Sequence, residues 1–255
     1  MKRRHRHLKP VRARARYIEG MAYERELRLA RQAAVRAGEN ALRMRGAGIQ
    51  PEIKPDNTPV TAADRENERL IVELIEAEFP DDGILAEEGT RKPGSSGRRW
   101  IIDPIDGTRD FVRGNALWCV LIAMEDRGSM AMGVAHFPMT DETFWAARGS
   151  GAYRNGERLH VLEKTHNGSD DWRTKIQKAW GTGGAREAMR VASGDVEVWF
   201  ERRAQVWDMA PLQVIVEEAG GRFFAMDGTP RADGGSGVAC TPAVESEVRQ
   251  FLKKV

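Results

Sequence analysis

The sequence predicts a mixed α/β fold, and three observations predict it. Apolar residues recur at spacings of three and four over 22–45 and again after Thr61, the period of a half-buried helix. Short apolar runs, "ILA", "WIID", "WCVLIAME" and "MAMGVAHF", have the composition of strands. The last two are joined only by "DRGS", too short for a crossover, so antiparallel meanders accompany the helices and a simple βαβ alternation is excluded.

Taken in order, Leu27, Ala30, Ala34, Ala37 and Ala41 form one face of a first helix that Gly46 can stop. "GAGIQPEIKPDNTP" reads as a turn-rich link. A second helix follows, with Thr61 and Asp64 at capping-box spacing and Leu70, Ile71, Leu74 and Ile75 on one face. "ILAEEG" is a short buried strand running into two glutamates, and "TRKPGSSGRR" a loop tip with nothing apolar to pack. After "WIID" and the Gly-Thr turn come the two meander strands, continued by the Gly-rich turns of "ETFWAARGSGAYRNGERL". "EKTHNGSDDWRTK" is polar and exposed, "GAREAMRVASG" a helix and "VEVWF" a strand. "MAPLQVIVEEAGG" is a helix closed by glycines, "GRFFAM" a strand before a turn at "DG", and "PAVESEVRQFLKKV" a last helix.

The 255 residues are 41% apolar and 31% charged, the balance of a soluble globular chain, with no apolar run long enough to span a membrane. Cys119 and Cys240 make no disulfide framework and no CxxC pair, which points to a reducing interior such as the cytoplasm. Residues 1–20 carry eight Lys or Arg and one Glu, a local +7, while the remaining 32 basic and 37 acidic residues leave the body at about −5. Composition reads this as a disordered leader, with Met21 opening the folded part; the competing reading is an arm for nucleic acid or an anionic surface. It lacks the apolar core of a signal peptide and the serines of a transit peptide.

Four carboxylates share one context at the edge of an apolar element: Glu87 after "ILA", Asp103 after "WII", Asp106 after "DPI" and Asp208 after "VW". A carboxylate there must be paired, hydrogen-bonded or bound to metal. Few basic residues lie beside these four, and the five histidines, two of them in the leader, show no HxxxH spacing. Hard Mg²⁺, which takes oxygen ligands and keeps room for water and phosphate, is the economical partner. The spacing of Asp103 and Asp106 lets both point into one space, with Pro104 stiffening the turn between them. Two ions about 3.5–4 Å apart can activate a water and stabilise a leaving alkoxide. Gly107 and Thr108 then open a helix whose free N–H groups suit a phosphate.

Singly, each position has a plainer reading. Asp208 can N-cap a helix starting at Met209, Glu87 and Glu88 can be solvated at a strand end, and Asp64 can serve only the capping box. Asp103 and Asp106 can form a turn with local hydrogen bonds. None of these explains the recurrence of the same flanking pattern.

The chain resembles the inositol monophosphatase family of lithium-sensitive, Mg²⁺-dependent phosphatases. "WIIDPIDGTRDF" is similar to its signature W-x-x-D-P-(I/L)-D-G-T-x-x-F, "VWDMAPLQVIVEEAGG" to W-D-x-A…EAGG, "LAEEG" to the glutamate motif and "DNTPVTAAD" to the upstream Thr/Asp motif, from about Met21 to the end. The resemblance implies a layered αβαβα sandwich, a homodimer, and direct water attack without a phosphoenzyme. It implies that Glu87, Asp103 and the Ile105 carbonyl hold a first metal, and Asp103, Asp106 and Asp208 a second. Thr108, backed by Asp64, would orient and deprotonate the water, and the Gly107 and Thr108 amides would hold the phosphate. Glu201 matches a substrate-hydroxyl contact, Gly181 and Thr182 a segment lining the substrate pocket, and Lys54 a basic residue near the outer metal. Residues 21–150 would carry most metal ligands, and 151–255 would supply Asp208 and the substrate rim.

"NTPVTAADR" and "DGTRDFVRGNALWCVLIAM" resemble the histidinol-phosphate branch, whereas "GTGGA" resembles the inositol enzymes. The stretch between Arg154 and Trp180 is shorter than the family pattern, which removes material near the substrate rim and dimer contact. The expected substrate is a small phosphorylated alcohol, histidinol phosphate or inositol monophosphate; membranes and nucleic acid are not expected partners. Aspartyl-phosphate phosphatases resemble this superficially through a D-x-D-G-T motif whose second Asp lies two residues after the first, but here the spacing is three and Pro104 intervenes. A non-catalytic fold binding nucleic acid through 1–20 is the remaining alternative, and the intact acidic positions argue against it.

Overall fold

The computed structural model describes residues 20–55, 59–163, 172 and 183–254. The basic leader and most of the short polar stretch before the "GAREAMRVASG" helix, with Gly181 and Thr182, lie outside the described residues. Helices α1 (Glu24–Gly46) and α2 (Ala62–Glu78) pack together against one face of an eight-stranded mixed sheet. Its strands are β3 (Gly83–Ala86), β4 (Arg91–Lys92), β5 (Arg98–Asp106), β6 (Cys119–Asp126), β7 (Ser129–Phe137), β8 (Glu142–Ala147), β9 (Gly151–Arg154) and β10 (Glu157–Arg158). They lie in the order β10-β9-β8-β7-β6-β5-β3-β4, and β3 and β5 form its parallel pair. Helices α4 (Gly184–Ala192) and α5 (Val206–Glu218) cover the opposite side. Beyond them lie a three-stranded sheet of β11 (Val198–Glu201), β13 (Gly237–Cys240) and β12 (Arg222–Phe224), then helix α6 (Glu245–Leu252). This is the αβαβα layering that the family resemblance implies.

Strand alternation explains the layering. Cys119, Leu121 and Ala123 of β6 join the core under α4 and α5, while Val120, Ile122 and Met124 join the core under α1 and α2. A strand covered on both faces needs apolar residues at every position, hence the unbroken run "CVLIAM". The Arg127-Gly128 turn between β6 and β7 holds both residues at positive φ, 50° and 79°, the geometry of a tight hairpin. Gly133 of β7 lies directly beneath α5: a Cβ there would meet the Pro211 carbonyl oxygen at 2.5 Å. The missing side chain lets α5 sit close to the sheet.

Several elements differ from the sequence expectation. The link before α2 holds a two-stranded pair, β1 (Glu52–Ile53) with β2 (Pro59–Val60). The "TRKPGSSGRR" tip contains β4 and the start of β5, because Arg91 and Lys92 pair antiparallel to β3 through backbone bonds that need no apolar side chain. β13, in "SGVACT", carries no alternation signal because both of its faces are buried. β5 also runs on past Asp103 to Asp106, so Pro104 lies in an irregular strand, not in a turn. Helix α5 starts three residues earlier than Met209, at Val206, which removes the N-cap reading of Asp208.

Candidate active site

In a regular strand, residues three apart point to opposite faces. Asp103 shares the parity of Ile101, which faces α5, so a regular β5 would send Asp106 to the other side. The pairing of β5 with β6 shifts register between Asp103 and Asp106, as a bulge does. Both carboxylates consequently face one space. Asp208 enters the same space from the first turn of α5, and the carboxylate oxygens of Asp103, Asp106 and Asp208 lie within 4.8 Å of one another. Asp208 stands at the third helical position, and its Oδ2 accepts the Gln205 N–H at 2.7 Å.

Such a cluster is electrostatically expensive, and its titration shows the cost. Burial, with the charge of Glu87 and then Asp106 beside it, raises Asp103 well above the usual carboxylate range. Burial and neighbouring Asp208 push Asp106 up to about 7, and burial pushes Asp208 up to about 6. Asp106 and Asp208 are partly exposed as residues, but their carboxyl groups are flanked by protein. Asp103 has the Glu87 charge and the Asp208 carboxyl close beside it, like charges crowded into one buried space. The oxygen-only donor set fits a hard divalent ion. The Cys119 thiol, 3.5 Å from Asp106 Oδ2, is pushed well above its ordinary range by burial, so it stays protonated and acts as a donor. The Ala185 N–H is a further donor to Asp106.

Beside the cluster stands a hydrogen-bonded pair. The Thr108 hydroxyl lies 3.0 Å from Asp64 Oδ1 and 3.2 Å from the Ile105 carbonyl oxygen. Asp64 Oδ2 accepts the Thr61 N–H at 2.7 Å and the Thr61 hydroxyl at 2.6 Å, so the capping box expected from sequence is present and also orients the side chain toward Thr108. Burial raises the Asp64 carboxyl above its ordinary value, against the pull of Thr61. Gly107, the residue before α3 (Thr108–Arg113), adopts φ 83°, a left-handed conformation that turns the chain from β5 into the helix.

Glu87 follows β3, and its N–H bonds the Ile102 carbonyl of β5 at 3.1 Å. Lys54 reaches both Glu87 Oε1, at 2.9 Å, and Glu88 Oε1, at 2.6 Å. This is a basic partner supplied from elsewhere in the fold. Burial opposes the Lys54 charge, but the hydrogen bonds to Glu88 and Glu87 outweigh it and hold the ammonium above its ordinary range. Burial raises Glu88 to about 7 despite Lys54. The solvated reading of Glu87 and Glu88 therefore does not hold. On the other side, a cleft of about 120 Å³ is lined by Asp106, Asp208, Glu201, Trp199, Arg203 and Gly184, among others. It brings Glu201 to the carboxylates, and burial raises the Glu201 carboxyl. Sequence reasoning passed over Cys119 and Ala185, whose side chain and amide reach Asp106 only through the tertiary fold.

Comparisons with known proteins identify the family and the fold. The model of the inositol monophosphatase family matches residues 23–180 and 181–253. The histidinol-phosphatase of Chlorobaculum parvum is 40% identical over 234 residues, covering 84% of this chain and 90% of that protein. The histidinol-phosphatase of Mycobacterium tuberculosis is 36% identical over 251 residues, covering 88% of this chain and 96% of that protein. The solved structure of a Thermotoga maritima IMPase superposes with a TM-score of 0.77 at 30% identity, covering 90% of this chain and 97% of that one. The layering, the matched motifs and these likenesses place one conclusion beyond the geometry alone: the chain belongs to the inositol monophosphatase family of phosphoric monoester hydrolases.

Proposed function

We propose that the protein is a Mg²⁺-dependent phosphatase of a small phosphorylated alcohol, with histidinol phosphate as the preferred substrate and inositol monophosphate as the second. The observation that carries the reaction is the hydrogen-bonded pair of Thr108 and Asp64 standing beside the Asp103–Asp106–Asp208 cluster. The likeness to histidinol-phosphatases supports the substrate.

Glu87, Asp103 and the Ile105 carbonyl would hold one Mg²⁺, and Asp103, Asp106 and Asp208 another. Bound there, the ions would lower the pKa of a water and neutralise charge on the phosphate and the leaving oxygen. The chain's own groups handle the proton. Thr108 donates its hydroxyl hydrogen to Asp64 Oδ1, which leaves the hydroxyl oxygen free to accept a proton from the attacking water. Asp64, raised above an ordinary carboxylate, is the better proton acceptor for it. The water oxygen bonds to phosphorus, the ester P–O bond breaks, and the leaving alkoxide takes a proton from solvent water while Asp64 releases the one it accepted, giving the alcohol and inorganic phosphate. The amides of Gly107 and Thr108 would hold the phosphate, Glu201 would face the alcohol, and Lys54 would stand at the outer metal. Gly181 and Thr182 would complete the rim. The division of labour between 21–150 and 151–255, a homodimer, and a cytoplasmic location belong to the same reading. Among the described residues, no helix is long and apolar enough to cross a membrane.

The test is phosphate release with Mg²⁺ from histidinol phosphate, inositol 1-phosphate, fructose 1,6-bisphosphate and adenosine 3′,5′-bisphosphate. The highest kcat/KM is expected for histidinol phosphate. Preference for another ester would overturn the substrate, and a trapped phosphoaspartate at Asp103 would overturn the mechanism.

A further inference from the structure

Glu68 lies on α2 one turn beyond Asp64 and is 4% exposed. A carboxylate so buried needs strong donors. Its donors all come from one short turn. Glu68 Oε2 accepts the Glu88 N–H at 2.6 Å, and Oε1 accepts the Thr90 N–H at 2.9 Å and the Thr90 hydroxyl at 2.6 Å. That turn carries Glu87, and it returns on itself through the Ala86 N–H, which bonds the Thr90 carbonyl at 3.0 Å. Gly89, at φ 125°, permits the reversal. The turn is gripped from the sheet by the Glu87 N–H on Ile102, and from the helix layer by Glu68.

We propose that Glu68 is a positioning residue that fixes the Glu87–Thr90 turn, so that the Glu87 carboxylate stands against Asp103 ready for metal. The same helix thereby sets two parts of the site, Thr108 through Asp64 and Glu87 through Glu68. The inference rests on the reading of Glu87 as a metal-holding residue. Both oxygens must accept: a glutamine whose oxygen faces Thr90 turns its NH₂ toward the Glu88 N–H, donor against donor.

The test compares the full chain with Glu68→Gln and Thr90→Val, with Glu66→Gln on the exposed face of α2 as control. Two readouts are taken: amide hydrogen exchange of Glu88 and Thr90 in the metal-free protein, and the Mg²⁺ dissociation constant by calorimetry. In Glu68→Gln, exchange at those two amides should accelerate while β5 amides hold, and Mg²⁺ should bind about tenfold more weakly. KM for the ester at saturating Mg²⁺ should stay unchanged. Wild-type Mg²⁺ affinity in a folded Glu68→Gln, even one of lower Tm, overturns the proposal. If that variant fails to fold, Thr90→Val decides. Loss of one hydroxyl should weaken Mg²⁺ binding about threefold, and no change overturns the proposal. Should Glu87→Gln leave Mg²⁺ affinity intact, the metal reading falls, and the exchange pattern alone then decides whether Glu68 holds the turn.

Discussion

On the side of α2 and β3, every acidic group of the site answers to donors from the scaffold: Asp64 to Thr61 and Thr108, Glu87 and Glu88 to Lys54, Glu68 to the turn between β3 and β4. On the side of α5 and the three-stranded sheet, Asp208 takes the Gln205 amide and stands beside Asp103, while Glu201 takes the amides of Arg202 and Arg203 at a cleft open to solvent. Groups locked by several buried hydrogen bonds cannot adapt without loss, so they suit a fixed proton path and a fixed metal position. Groups at an open rim can accept different alcohols. On the proposed reading, the proton path lies in the scaffolded half and the alcohol meets the open half, with Asp208 joining the two at Asp103.

The sharpest way to break the comparison is at its junction. Asp103→Asn should abolish turnover, a loss on the order of 10³-fold in kcat, with the fold retained by circular dichroism. Normal turnover would remove Asp103 from the site. Next, on the scaffolded side, Thr108→Ala should lower kcat about 10²-fold with little change in KM, and Thr108→Ser should recover most of it. Equal rates for alanine and serine would exclude the hydroxyl as proton carrier. On the open side, Glu201→Gln should raise KM about tenfold for its preferred alcohol and leave kcat nearly unchanged. A fall in kcat instead would place Glu201 among the groups that act on the reacting bond.

The smallest effect concerns pH. Asp106 and Asp208 titrate near 7 and 6 in the folded chain, above the ordinary value of about 3.9, so the folded state holds the extra protons. Their contribution to stability is fully present below about pH 4 and is lost as pH rises through about 6 to 7. Metal-free protein should therefore show a Tm several degrees lower at pH 8 than at pH 5, with Mg²⁺ restoring more at pH 8. A Tm independent of pH in the metal-free protein would contradict the raised carboxyls of Asp106 and Asp208.

How much of this was legible in the sequence follows from the range of the interactions. The Thr61–Asp64 cap is local, three residues apart, and its sequence pattern and its structure coincide. The runs of β5, β6 and β7 declare themselves because burial on both faces leaves unbroken apolar stretches such as "CVLIAM" within them. β13 is equally buried but only four residues long, too short to stand out. The pairing of Asp103 with Asp106 was legible as a spacing. The register shift that makes the spacing work depends on β6 and was not. Glu68 looked like any helical glutamate, since its partners lie 20 and 22 residues away.

Gly133 carries a consequence of another kind. The Pro211 carbonyl rests where a side chain would stand, and α5, which brings Asp208 to the site, is seated by that absence. Any larger residue would lift the helix and carry its carboxylate away from Asp103. A mutational scan scored by turnover would thus mark Gly133 as though it belonged to the active site, although it touches none of the acidic groups. In tracing how substrate preference changes among relatives, such positions set the depth at which the site is assembled and are poor places to look for the alcohol it prefers.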